Sequence, residues 1–197
     1  MVDVARKAID TTVSVGEEPE GVAISPDGRW VYVTCESASA VEVVDIGSRS
    51  VVKVLKVGAR PRGAVFLPDT SKAYVTSEVG GTLGVVGLPQ QEVIRTIKLE
   101  GAGVRPMGIA TSPDGKRVYV TTGHGGVVFV VDTSKDEIAA TIHVGNRPWG
   151  IAVADDGATL YTANGLSDDV SIVDTASATE TGRIKVGSKP WGIVIVP

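Results

Sequence analysis

One short motif recurs through this chain and restricts what it can fold into. The triplet Pro-x-Gly occurs at Pro19-Glu20-Gly21, Pro61-Arg62-Gly63, Pro106-Met107-Gly108, Pro148-Trp149-Gly150 and Pro190-Trp191-Gly192. The prolines stand 42, 45, 42 and 42 residues apart. Thirteen residues after each of the first four comes a tyrosine: Tyr32, Tyr74, Tyr119 and Tyr161. Twenty-six residues after them come Asp45, Gly87, Asp132 and Asp174, and thirteen beyond those Gly58, Glu100, Gly145 and Gly187. An insertion between Gly101 and Arg105 absorbs the one long spacing. Matches in one fixed frame at this period mark a repeat architecture.

Each unit reads as four short strands. The first is small and apolar throughout (21–25, 63–67, 108–112, 150–154, 192–196), as a strand covered on both faces must be. A turn follows, such as Ser25-Pro26-Asp27-Gly28 or Ser112-Pro113-Asp114-Gly115. There Pro presets φ, Asp bonds its own backbone and Gly accepts positive φ. The second strand, Trp30-Val31-Tyr32-Val33-Thr34 and its copies, is rich in β-branched and aromatic residues. The third covers 41–45, 83–87, 128–132 and 170–174. The fourth alternates apolar and charged residues, as in Val52-Lys53-Val54-Leu55-Lys56-Val57, which suits a charged outer edge. Four strands every 42 residues without a helical period predict an all-β chain of tandem β-propeller blades. A β-sandwich is the alternative, but it has no reason to repeat Pro, Tyr, Asp and Gly in one frame.

The frame divides the chain into a partial blade at 1–18, whole blades at 19–60, 61–105, 106–147 and 148–189, and an inner strand of a shared blade at 190–197. The two ends together lack a second strand and the start of a third. The expectation is a fragment of a larger ring, with a compact irregular ring or an open arc that self-associates as the alternatives.

Composition narrows the function classes. Net charge is −4, which argues against a general nucleic-acid binder, since such proteins carry a basic excess. The single cysteine, Cys35, excludes an internal disulfide and any CxxC pair. No apolar run approaches a membrane span, and MVDVARKAID holds no apolar h-region of a signal peptide. Phosphate loops, GxSxG and HExxH are absent.

Tyr119-Val120-Thr121-Thr122 and Tyr74-Val75-Thr76-Ser77, with PxGIA, SPDG, VVDT and VG in fixed order, resemble the YVTN-type β-propeller repeat. The resemblance covers the whole chain and implies a parent of about seven blades. It also implies a periplasmic or extracellular setting. For function it implies only a range, from surface-layer proteins and exported proteins of unknown role to relatives of propellers that carry haem d1 or accompany quinone dehydrogenases.

The candidate site follows from blade geometry. The loops before each Pro-x-Gly and those between second and third strands share one face of the disc. Four of the five prolines follow Arg or Lys: Arg60, Arg105, Arg147 and Lys189. With Arg62, Trp149 and Trp191 at the x position, this reads as a basic collar with indole walls. Arg bonds carboxylates and phosphates through its planar fork. Such a collar suits a small anionic ligand or a protein partner, and the expected role is a non-enzymatic binding scaffold without a cofactor. The alternative role is a redox-associated propeller holding a haem d1-like or quinone cofactor, with His124 as an axial ligand. Glu18 and Glu20 break the collar in the first blade, and solvated loop ends of a duplicated repeat remain open as the plainer reading. No catalytic or metal constellation is expected: the two histidines and one cysteine lie far apart in the frame.

Overall fold

The alternation of each blade sequence becomes an antiparallel sheet. The computed structural model describes residues 1–196. A hairpin of β1 (Val2–Asp3) and β2 (Ala8–Ile9) precedes the first blade. That blade holds β3 (Pro19–Ile24), β4 (Trp30–Cys35), β5 (Ala40–Asp45) and β6 (Ser50–Lys56). The second holds β7 (Pro61–Phe66), β8 (Lys72–Ser77), β9 (Thr82–Gly87) and β10 (Glu92–Lys98). The third holds β11 (Ile109–Thr111), β12 (Arg117–Thr121), β13 (Val127–Asp132) and β14 (Glu137–His143). The fourth holds β15 (Pro148–Val153), β16 (Thr159–Asn164), β17 (Asp169–Asp174) and β18 (Thr179–Lys185). In each four-stranded sheet the strands pair in chain order. The chain is an all-β propeller array, with one 3-10 turn at Gly123–Gly125.

Period-two alternation divides every second strand between two interfaces. Tyr32 of β4 packs with Phe66, Ala73 and Val75 of the second blade, whereas Val33 and Cys35 pack with Val13 and Val15 of the N-terminal segment. Tyr74 joins Val118, Val120 and Phe129 of the third blade. Tyr119 joins Leu160 and Val173 of the fourth. Each core is therefore shared between neighbouring blades, and stability is distributed along the array.

Two of the frame tyrosines also carry a polar handle across an interface. Tyr32 donates to Gln91 Oε1, and Tyr74 donates to Asp136 Oδ1 at 2.5 Å. Lys72 Nζ completes the second site at 2.7 Å from Asp136 Oδ2. Gln91 and Asp136 occupy the same turn position of successive blades, both with positive φ.

The ends follow the frame only in part. Residues 1–18, expected as the end of a third strand and a whole fourth strand, pair over Val2–Asp3 and Ala8–Ile9, whereas 11–18 and the expected inner strand at 190–196 form no ladder. The second segment still follows the repeat, because Gly192 and the Trp191 carbonyl lie against Gly150 of β15. A strand needs a continuous ladder of bonds to a neighbour, and among the described residues 11–18 makes only isolated ones, such as that from the Glu36 N–H to the Glu18 carbonyl at 3.0 Å. Pro197 lies outside them. On β3, the inner strand of the first blade, Val22 and Ile24 are 68% and 62% exposed.

Candidate functional site

Pro-x-Gly is a device for bringing inner strands together. The Thr34 hydroxyl accepts the N–H of Gly21 at 2.7 Å and donates to the carbonyl of Arg62, in the next blade, at 2.7 Å. Thr76 does the same between Gly63 and the Met107 carbonyl, and Thr121 between Gly108 and the Trp149 carbonyl. The glycine is required because a Cβ at Gly21 or Gly108 would run into the Arg62 or Trp149 carbonyl. In the fourth blade the threonine position is Ala163. The clips carry each x residue towards the axis. Glu20, Arg62, Met107, Trp149 and Trp191 line an open axial cleft of about 330 Å3.

Two unlike groups adjoin the cleft, one built on its lining residue Arg62 and one on its lining residues Trp149 and Trp191, which Arg147 joins without itself lining the cleft. In the first, Arg62 is only 12% exposed and lies among three carboxylates: Glu36, Glu78 at 2.7 Å and Glu20 at 2.8 Å. Arg60 joins Glu36 at 2.5 Å, and Arg105 reaches Glu78 at 3.4 Å. Burial pushes the Glu78 carboxyl up, but the hydrogen bond from Arg62 and the charges of Arg62 and Arg60 outweigh it and hold the pKa below the usual glutamate range. Three arginines and three glutamates neutralise one another.

The second group carries no such counter-charge. The Arg147 guanidinium lies over the Trp149 ring, its central carbon 4.4 Å from the centroid, a cation–π arrangement. Trp149 packs edge-to-face on Trp191 at an interplanar angle of 72°. Trp191 is 61% exposed. Among the described residues Arg147 makes no ion pair, and its buried Nε meets no acceptor.

Residues 1–159 match the profile described as YNCE-like beta-propeller. The chain belongs to this family. A search of curated proteins gave no match. Among solved structures, the YNCE-like chain is similar to Kuenenia stuttgartiensis hydrazine synthase at 26% identity and TM-score 0.78, over 89% of this chain and 51% of that one. It is also similar to a putative 6-phosphogluconolactonase from Bacteroides uniformis, at 19% identity and TM-score 0.79, over 96% of this chain and 64% of that one. A functionally unknown protein from Desulfotomaculum acetoxidans matches at 19% identity and TM-score 0.78, over 93% of this chain and 61% of that one. The last two likenesses show the fold alone. The chain spans between half and two thirds of the length of these structures.

In this YNCE-like array the residues of the expected basic collar, already broken by Glu18 and Glu20 in the sequence, fall into two groups. Arg60, Arg62 and Arg105 converge, but on Glu36 and Glu78, so their charge is spent within the protein. Arg147, Trp149 and Trp191 form the separate cationic and aromatic group. Lys189 is exposed at the edge, and its backbone N–H donates to Asp168 Oδ1 at 2.8 Å. His124 is exposed in the 3-10 turn and is not among the residues that line the cleft. Glu36 and Glu78 escaped the sequence reading. Their signal was present: each stands four residues after a frame tyrosine, on the collar face.

Proposed function

We propose that this chain is a binding module that takes an anionic small ligand at the loop-face mouth of its axial cleft. The observation that carries the reading is Arg147, a half-buried cation stacked on an indole and paired with no carboxylate among the described residues. The cleft volume falls at the small end of ligand pockets, about 300–1,000 Å3. Two indoles supply apolar surface and stacking faces, and one guanidinium supplies orientation. The role is binding and not turnover: Glu78, a buried carboxylate of the arginine cluster, is held ionised by Arg62 and Arg60 and is a poor proton shuttle.

The test is a calorimetric titration with a panel of aromatic carboxylates, phosphates and sulfonates, followed by mass analysis of the recovered ligand. Saturable binding that Trp149→Leu abolishes, with the ligand returned unchanged, supports the reading. Chemical conversion of a ligand, or no binding by any member, overturns it.

A further inference from the structure

The repeat itself reports what belongs against Arg147. In the first two blades the residue four places after the frame tyrosine is Glu36 or Glu78, and its carboxylate faces the arginine that precedes the next Pro-x-Gly. Glu36 so meets Arg60 at 2.5 Å, and Glu78 meets Arg105 at 3.4 Å. Arg147 is the corresponding arginine of the fourth blade. The frame-equivalent position in the third blade is Gly123, which lies against Arg105 and Met107, and the one in its own blade is Gly165, whose N–H donates to the Arg147 carbonyl at 2.9 Å. Arg60 and Arg147 share one backbone conformation, φ +58° in each. The two arginines leave the backbone alike, but Arg60 meets Glu36 whereas Arg147 lies over Trp149, and the frame position that supplies the glutamate to one is glycine for the other.

From this we infer that the Arg147 guanidinium receives the carboxylate of a small aromatic acid, whose ring lies against Trp149 and Trp191. The inference rests on the binding reading above and makes it specific. A carboxylate is favoured over a phosphate because the sibling sites are built for one planar, singly charged group. A flat ring is favoured because the adjoining wall is indole, and edge-to-face or offset stacking adds to apolar burial. The ligand is small because the two indoles beside Arg147 line a concave cleft of about 330 Å3. Glu36 and Glu78 serve as built-in analogues of the ligand headgroup.

Calorimetry with naphthoate, naphthyl phosphate and the neutral naphthylmethanol tests this on the intact chain. Naphthoate is expected to bind most tightly. Arg147→Gln is expected to weaken it by roughly tenfold to a hundredfold, the scale of a lost charge-assisted hydrogen bond, while leaving naphthylmethanol unchanged. Arg147→Lys keeps the charge without the fork and is expected to fall between. Arg105→Gln, which alters an arginine already paired, is expected to leave naphthoate affinity unchanged. The assignment is overturned if Arg147→Gln and Arg147→Lys both bind naphthoate as the parent does, or if naphthyl phosphate binds tenfold tighter than naphthoate. In those cases the binding reading survives. If none of the three probes binds, the binding reading fails with it.

Discussion

The Thr34 hydroxyl of the first blade bonds the Arg62 carbonyl of the second at 2.7 Å, and the same bond recurs from Thr76 to Met107 and from Thr121 to Trp149. These clips set the spacing of inner strands, and therefore the width of the cleft. Thr76→Val keeps the shape but leaves the Gly63 N–H and the Met107 carbonyl without their partner. A loss of about 1–3 kcal/mol is expected from such buried unsatisfied groups, measured by urea unfolding.

The tyrosine handles differ in strength by blade. Tyr74 is fully buried and bonded to Asp136, which also holds Lys72. Tyr161 occupies the same frame position, and among the described residues its hydroxyl has no partner. Tyr74→Phe should cost about 1–3 kcal/mol, whereas Tyr161→Phe should stay within about 0.5 kcal/mol of the parent. Equal effects in thermal or urea unfolding would contradict the inter-blade role.

Gly108 separates the third and fourth inner strands. A Cβ there would collide with the Trp149 carbonyl and crowd the Thr121 hydroxyl. Gly108→Ala is expected to lose about 1–3 kcal/mol through backbone displacement. It should also disturb ligand affinity, since the displaced carbonyl belongs to Trp149. Gly187→Ala, with nothing near its would-be Cβ, is the matched control.

Acid should release the ion cluster. The Glu78 carboxyl has a folded pKa below its ordinary value, so its ionised form favours the folded state. That contribution is present above the unfolded glutamate pKa, about 4.3, and is lost as pH falls through the lower folded value. Stability measured from pH 6 down to pH 3 should therefore fall more steeply in the parent than in Glu78→Gln, with the two curves converging at the acid end. Parallel curves would remove Glu78 from the account.

Much of the architecture was legible because it is local and repeated. Pro-x-Gly, the frame tyrosines and the SPDG turns each act within a few residues, and the period exposes them. At Asp114, for instance, the hydrogen bond from Ser112 and the Lys116 N–H hold the carboxyl at about 2, as the turn chemistry requires. The site was less legible because its decisive contacts cross blades. Arg60 and Arg147 are alike in sequence, each before a Pro-x-Gly. What separates them is the frame position 24 residues before each, Glu36 for one and Gly123 for the other. The terminal segments 11–18 and 190–196 carry strand-like sequence, yet a strand is a property of two neighbours and not of one.

The most direct measurement is a nitrogen–proton correlation spectrum of the three indole N–H groups during titration with naphthoate. Trp149 and Trp191 line the cleft, whereas Trp30 packs in the core between the first two blades. The account predicts saturable shifts of the Trp149 and Trp191 signals with the Trp30 signal unmoved. Movement of all three alike, or of none, would contradict it.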